Sequence, residues 1–173
     1  MGGHAPAGVV LESVEQEKDV GVMISNDLKP SLQCSTAAKK ANSVLGRMAK
    51  LFTYRDRVVW VRLYKTYVRP HLEYVVQAWS PWTQADRKVL EDVQRRAVRM
   101  TSGLAGRTYE ERLAEVGLTT LEVRRVRGDM IQTWKVLHHY DNVDEKVWFR
   151  RHRDKLYETR GLHPPLQFGA TYC

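Results

Sequence analysis

The chain has 173 residues, of which 43% are hydrophobic and 28% charged, and its formal net charge is +8; this composition suits one packed domain and excludes a fibrous or largely disordered chain. Its apolar runs are far shorter than the roughly 20 residues that cross a bilayer, and its N-terminus lacks the basic and apolar segments of a signal peptide. We therefore expect a soluble intracellular protein, nuclear or cytoplasmic, that is not secreted and does not bind a membrane.

The first predicted element is a β-hairpin in the segment VVLESVEQEKDVGVMIS. Its β-branched residues predict two strands, at about 9–14 and 19–24, with a polar break from Glu15 to Lys18 between them. Because an isolated pair of strands is marginally stable, we expect the hairpin to pack against another element.

A helix is predicted after Pro30, with Ser31 as its N-cap. Its apolar face repeats at steps of three and four residues and comprises Cys34, Ala38, Ala41, Leu45, Met48 and Phe52. The opposite face carries Lys39, Lys40, Arg47 and Lys50, with Ser43 among them; we call these four cations the basic stripe. The stripe is either an ordinary solvated face or, because no acid interrupts it, a surface for a polyanion.

The charge distribution favours the second interpretation. Residues 1–28 carry one cation against five acids, whereas residues 29–70 carry ten cations against the single acid Asp56. So concentrated an excess indicates a polyanionic partner. The cysteines, Cys34 and the terminal Cys173, support neither a disulfide framework nor a multi-cysteine zinc site, and a reducing compartment is the simpler assumption.

Four later segments begin with a threonine followed three residues on by an acid, the capping-box pattern that satisfies the first amides of a helix. The pairs are Thr53 with Asp56, Thr83 with Asp86, Thr108 with Glu111, and Thr119 with Glu122. Together with the apolar periodicity, they predict helices over 54–68, 70–79, 84–101, 109–116 and 120–139.

Two of these helices combine an apolar stripe with arginines. Over 84–101 the apolar stripe is Leu90, Val93, Ala97, Met100 and Leu104, and the flanking arginines are Arg95, Arg96 and Arg99. Over 120–139 the apolar stripe is Val126, Met130, Trp134 and Leu137, and the arginines near the start are Arg124, Arg125 and Arg127. Cations at a helix N-terminus oppose the macrodipole, so these serve a partner or pair with acids such as Glu110, Glu111 and Glu122.

The stretch YVRPHLEYVVQAWSPW, residues 67–82, contains an HxE spacing at His71 and Glu73. A zinc deaminase would also need a downstream PCxxC, which the sequence lacks. His138 and His139 do not form an HExxH, and the GxxxxGK, GxGxxG and GxSxG motifs are absent. We therefore predict no catalytic residue, no metal site and no cofactor.

The same stretch is better interpreted as a helical corner. Pro70 predicts that one helix ends or kinks there and that the next begins. Leu72, Val75, Val76 and Trp79 would form the buried face of the second helix, with His71 and Glu73 at its polar rim. Trp79 and Trp82 are predicted to lie in the core or an interface, with base stacking as the less favoured alternative.

Several strings, in the same order and spacing, resemble the C-terminal part of reverse transcriptases from LINE-type non-LTR retrotransposons of the jockey and chicken-repeat kind. They are EKDVGVMISNDLKPSLQC, AAKKANSVLGRM, LYKTYVRPHLEYVVQAWSPW, LEDVQRRAVRM and YEERLAEVGLTTLEVRRVRGDMI. The resemblance spans about residues 8–150 and does not extend to the last 20 or so.

The predicted elements together give a mainly α fold: a short N-terminal hairpin, a bundle of about five to six helices and an irregular C-terminal tail over residues 151–173, where Gly, a Pro pair and the lack of periodicity favour disorder. The resemblance implies that residues 1–28 are the edge of the polymerase palm and residues 29–150 the thumb and post-thumb domain. Val20, Gly21 and Val22 would belong to a strand like that of the primer grip. In the family, the catalytic aspartates and their Mg²⁺ lie in the palm, upstream of this segment, so no polymerase activity is expected.

The implied partners are an RNA or DNA template–primer or RNA–DNA hybrid, and the missing palm. The thumb of such polymerases rests on the template–primer backbone, so the candidate nucleic-acid contacts are Lys39, Lys40, Arg47, Lys50, Arg95, Arg96 and Arg99. Contacts to phosphates would be independent of sequence and sensitive to salt. Two alternatives stay open, a helical protein-interaction module whose strands extend a partner's sheet, and a non-functional retroelement remnant.

Overall fold

The structure, a computed structural model, describes residues 14–144, 147, 149–151 and 166–167. It is mainly helical with an N-terminal hairpin, as predicted. The strands of the hairpin are β1 (Gln16–Asp19) and β2 (Val22–Ser25), and β3 (Arg150–Arg151) pairs antiparallel with β4 (Leu166–Gln167). The helices are α1 (Ser31–Leu51), α2 (Arg57–Leu63), α3 (Arg69–Glu73), α4 (Val76–Trp79), α5 (Gln84–Arg99), α6 (Tyr109–Glu115) and α7 (Leu121–Leu137), with a π-helical segment (Tyr64–Val68) between α2 and α3.

The chain divides into two compact units, Met1–Arg125 and Val126–Cys173. The hairpin belongs to the first unit. The domain boundaries predicted after residues 28 and 150 stay a prediction, and most of the predicted tail lies outside the described residues.

The hairpin lies later in the chain than predicted. β1 is formed by the polar segment that was expected to separate the strands, and residues 9–13 of the first predicted strand lie outside the described residues. Val20 and Gly21 form the turn with φ of 44° and 83°, which is the left-handed geometry of a two-residue hairpin. The two-residue turn, in which Gly21 adopts a positive φ, therefore sets the position of the strands, and the apolar pattern that predicted a strand over 19–24 does not.

Helix α1 is central to the first unit and packs against α5, α3 and β2. The predicted apolar face is buried at Cys34, Ala38, Ala41, Leu45 and Met48, whereas Phe52 follows the helix and is 38% exposed. Ser31 is not the N-cap: it lies in the first turn, and its hydroxyl donates to Asp86 Oδ2 at 2.8 Å, which ties α1 to α5.

The corner around Pro70 differs from its prediction. The helical path continues through Pro70, because the preceding turn widens into the π-helical segment where the ring would otherwise meet the carbonyl of Thr66. The break comes instead at Val75, whose φ is 47° and whose side chain is 40% exposed. Leu72, Val76 and Trp79 are buried as predicted, but Val75 is not.

The predicted caps hold in part. Thr108 and Glu111 form a complete capping box, and Thr83 accepts the amide of Asp86. Asp56 rather than Thr53 caps α2, accepting the amides of Val58 and Val59. Before α7, Thr120 rather than Thr119 accepts the amide of Val123.

The apolar stripe predicted on α7 is wrong. Val126 is 54% exposed, Met130 68% and Trp134 50%. The first turn buries Leu121 and Arg125 instead, and the last turn buries Val136. In α5, by contrast, Leu90, Val93 and Ala97 are buried as predicted, and so is Leu104, which follows the helix.

Candidate nucleic-acid interface

The basic stripe lies on the exposed face of α1. All four of its cations and Ser43 are exposed, while the buried residues lie on the opposite side of the helix. At 3.6 residues per turn, the stripe falls within an arc of about 100° and runs for about 16 Å between Lys39 and Lys50. The stripe is therefore one aligned surface.

The stripe is not neutralised within the described part of the chain. Helix α1 contains no acid, and none of its four cations forms an ion pair with another described residue. Cations that repel one another without a counter-charge raise the local potential and favour an anionic partner.

The arginines of α5 separate into different environments. Arg95, Arg96 and Arg99 are all exposed. Arg96 Nη1 donates to Asn42 Oδ1 of α1 at 3.4 Å, so its charge lies beside the stripe. The Arg95 guanidinium lies 4.7 Å from the centre of the Tyr109 ring, towards α6. Asn42, which brings Arg96 to α1, was not singled out from the sequence because its partner is 54 residues away.

The segment after the stripe is anchored on both sides of Tyr54. The Phe52 amide donates to the Met48 carbonyl, and the Arg55 carbonyl accepts from the Ser102 amide at 3.0 Å. Arg55 Nη2 donates to the Ala49 carbonyl at 2.9 Å, at the C-terminal end of α1. The backbone around Tyr54 is therefore held in place, although its side chain is 77% exposed.

The residues implied to be a primer-grip strand do not form one strand. Val20 and Gly21 are the hairpin turn, and Val20 is 73% exposed. Val22 alone lies in β2 and is buried. The hairpin is held on α1 because the Met23 amide donates to Gln33 Oε1 at 2.9 Å. The primer-grip role stays a prediction.

The arginines near the start of α7 lie in three different environments. Arg124 Nη2 donates to Glu73 Oε2 at 3.0 Å, and this contact raises the pKa of Arg124. Arg125 is 6% exposed, and burial lowers its pKa. Arg127 is exposed. The acid that pairs with Arg124 is thus Glu73, the glutamate of the HxE spacing, and this ion pair joins α7 to α3.

Three further observations concern the described residues only. No group of three or more metal-ligating side chains is found among them. His71 is exposed, and Glu73 is occupied by Arg124 and Arg69, so the two do not form a common site. None of the described helices has the length and apolar character needed to cross a bilayer.

Comparison with protein-family models, with curated proteins and with solved structures gave no match. The resemblance to retrotransposon reverse transcriptases therefore stays a prediction from the sequence strings.

Proposed function

We propose that this chain is a catalytically incomplete, thumb-like part of a retrotransposon RNA-directed DNA polymerase that binds template–primer nucleic acid without sequence specificity. Its proposed role is binding and not nucleotide transfer; the parent enzyme would supply Mg²⁺ chemistry from its palm. The observation that carries the proposal is the basic stripe, which is exposed, aligned on one helix face and free of acids on that helix.

The dimensions of the stripe suit a phosphate backbone. Its length of about 16 Å equals the rise of about five nucleotides of one strand along the axis of a duplex, at about 3.4 Å each. Lysine and arginine side chains on a rigid helix can contact several successive phosphates while reading no base. Arg96 would add a fifth cation at the edge of this surface.

The direct test is a charge reversal with a matched control. In the first variant Lys39, Lys40, Arg47 and Lys50 are changed to Glu; in the second, the exposed cations Lys18, Arg62, Arg127 and Lys135, which lie off the stripe, are changed to Glu. Both variants lower the formal net charge from +8 to zero. Binding to a fluorescein-labelled RNA–DNA hybrid is measured by fluorescence anisotropy at low salt.

We expect the stripe variant to bind at least about tenfold more weakly than the control, because it loses several phosphate contacts. Equal losses in the two variants would mean that only net charge matters, and intact binding by the stripe variant would contradict the proposal. Primer extension by the purified protein would contradict its non-catalytic part.

A second function, a helical protein-interaction module, is favoured by α7. Val126, Met130 and Trp134 recur at helical spacing and are each at least half exposed. Such an apolar face suits a helix or groove of another protein. Capture of a protein that survives nuclease treatment, and is lost when Met130 and Trp134 are changed to Gln, would support this function.

A further inference from the structure

We propose that Tyr54 stacks on an unpaired base beside the duplex bound by the basic stripe, so that the preferred ligand is a duplex with a single-stranded extension. This inference rests on the proposed function and specifies its substrate class. Its starting point is an aromatic ring that is 77% exposed and is placed just after the stripe.

The Tyr54 ring is free for a ligand. Among the described residues, Tyr54 makes no hydrogen bond or ring contact, and its hydroxyl is not used to hold the fold. Trp60 of α2 and Tyr64 of the π-helical segment are buried and donate to partners in α5. Tyr54 therefore has no structural role comparable to that of its aromatic neighbours.

The backbone that presents the Tyr54 ring is fixed. Phe52 is bonded to the last turn of α1, Arg55 to Ala49 and Ser102, and Asp56 caps α2. The Arg55 guanidinium also lies 5.5 Å from the centre of the Trp60 ring. An aromatic side chain on an immobilised segment loses little conformational freedom when it stacks, which favours binding.

Tyr54 follows the basic stripe closely along the chain. Tyr54 follows Lys50 by four residues, so their Cα atoms are at most about 14 Å apart. This upper bound equals the rise of about four nucleotides of one strand along a duplex axis, at about 3.4 Å each. A strand on the stripe can therefore reach the ring, and the combination of a basic track with an exposed aromatic is typical of single-strand binding.

A protein surface is the competing interpretation, because Leu51, Val58 and Val59 nearby are also exposed. The stripe decides between the two. Lys50 and Arg47 precede the ring on an acid-free helix, and a polyanion matches both these cations and the ring, whereas an apolar protein surface matches the ring and its apolar neighbours but leaves the cations without a counter-charge.

The test compares two ligands and three variants. The ligands are a blunt duplex and the same duplex with a three-nucleotide single-stranded extension that carries 2-aminopurine. The variants are Tyr54→Leu, Tyr54→Phe and the fourfold stripe reversal. Unchanged urea midpoints for the two Tyr54 variants establish that each is folded.

We expect Tyr54→Leu to weaken binding of the extended duplex about 5- to 150-fold, the loss of one base–aromatic stack, and to leave the blunt duplex unchanged. Tyr54→Phe should retain both affinity and the quenching of 2-aminopurine. Equal affinity of Tyr54→Leu and wild type for the extended duplex would overturn this inference and leave the proposed function standing. Loss of both ligands by Tyr54→Leu would also overturn it. Unimpaired duplex binding by the stripe variant would instead count against the proposed function. Capture of a protein through Tyr54, without any nucleic-acid binding, would count against the proposed function and the stacking inference alike.

Discussion

Gln94 is the side chain whose replacement tests the packing of the first unit most directly. It is fully buried, and its Oε1 accepts from the Tyr64 hydroxyl at 2.9 Å. Its Nε2 lies 3.0 Å from the Thr119 carbonyl oxygen and 3.1 Å from the Tyr109 hydroxyl. Because a carbonyl can only accept, the amide nitrogen must face Thr119, and the orientation of the side chain is determined. We predict that Gln94→Leu strongly destabilises the fold.

The magnitude follows from the groups that lose their partner. Leucine conserves volume closely enough to avoid a large cavity, but it removes the partner of the buried Tyr64 hydroxyl and of the Thr119 carbonyl, which is only partly buried. An unsatisfied buried group costs about 1–3 kcal/mol, so the free energy of unfolding should fall by at least this amount, and by up to about 6 kcal/mol for the two groups together. Burial raises the pKa of Tyr64, so its hydroxyl stays protonated and needs an acceptor. A loss of this size is a large share of a typical stability of about 5–15 kcal/mol.

The assay is equilibrium urea denaturation followed by circular dichroism, with a double-mutant cycle. Adding Tyr64→Phe to Gln94→Leu removes one unpaired group, so the pair should be less destabilising than the sum of the single changes by about 0.5–3 kcal/mol. Gln84→Leu, at an exposed position of α5, serves as the control and should change stability by less than about 0.5 kcal/mol. Additive single changes, or a cost for Gln94→Leu no larger than that of the control, would refute the reasoning.

Two further predictions concern salt and pH. For duplex binding through the four stripe cations alone, the slope of log K against log salt should be about −3.6, and the affinity should fall roughly 150-fold between 50 and 200 mM salt. A fifth contact from Arg96 would make the wild-type slope about −4.5, and Arg96→Gln would then return it to about −3.6; anisotropy titrations at several salt concentrations measure both slopes. Burial raises the pKa of the Cys34 thiol from 9.0 to about 12, so the unfolded chain loses this proton at a lower pH than the folded chain does. The contribution of this shift to the free energy of unfolding is therefore complete below pH 9 and is lost as pH rises from 9 towards 12. Between pH 8 and pH 10, wild type should therefore lose about 1.4 kcal/mol more stability than Cys34→Ala, as measured by urea denaturation, and equal losses would show that Cys34 ionises alike in both states.

Some predictions failed because a local interaction outweighed periodicity. The polar segment at Glu17 and Lys18 forms β1 because the turn at Val20 and Gly21 sets the register of the hairpin. On α7, helical spacing identified residues sharing a face, but it did not distinguish a core face from an exposed apolar one. Periodicity reports which side chains lie together and leaves open what covers them.

Three features follow from the sequence alone: the fold class, the burial of the apolar side of α1, and the alignment of the basic stripe. They follow because the repeat of about 3.6 residues per turn specifies which side chains share a helix face. Three contacts depend on the tertiary structure: Ser31 with Asp86, Glu73 with Arg124, and Arg96 with Asn42 beside the basic stripe. The residues of each pair are more than 50 positions apart, so their meeting depends on how helices pack. The same holds for Tyr54, whose exposure is set by the anchoring of its neighbours to α1 and to Ser102.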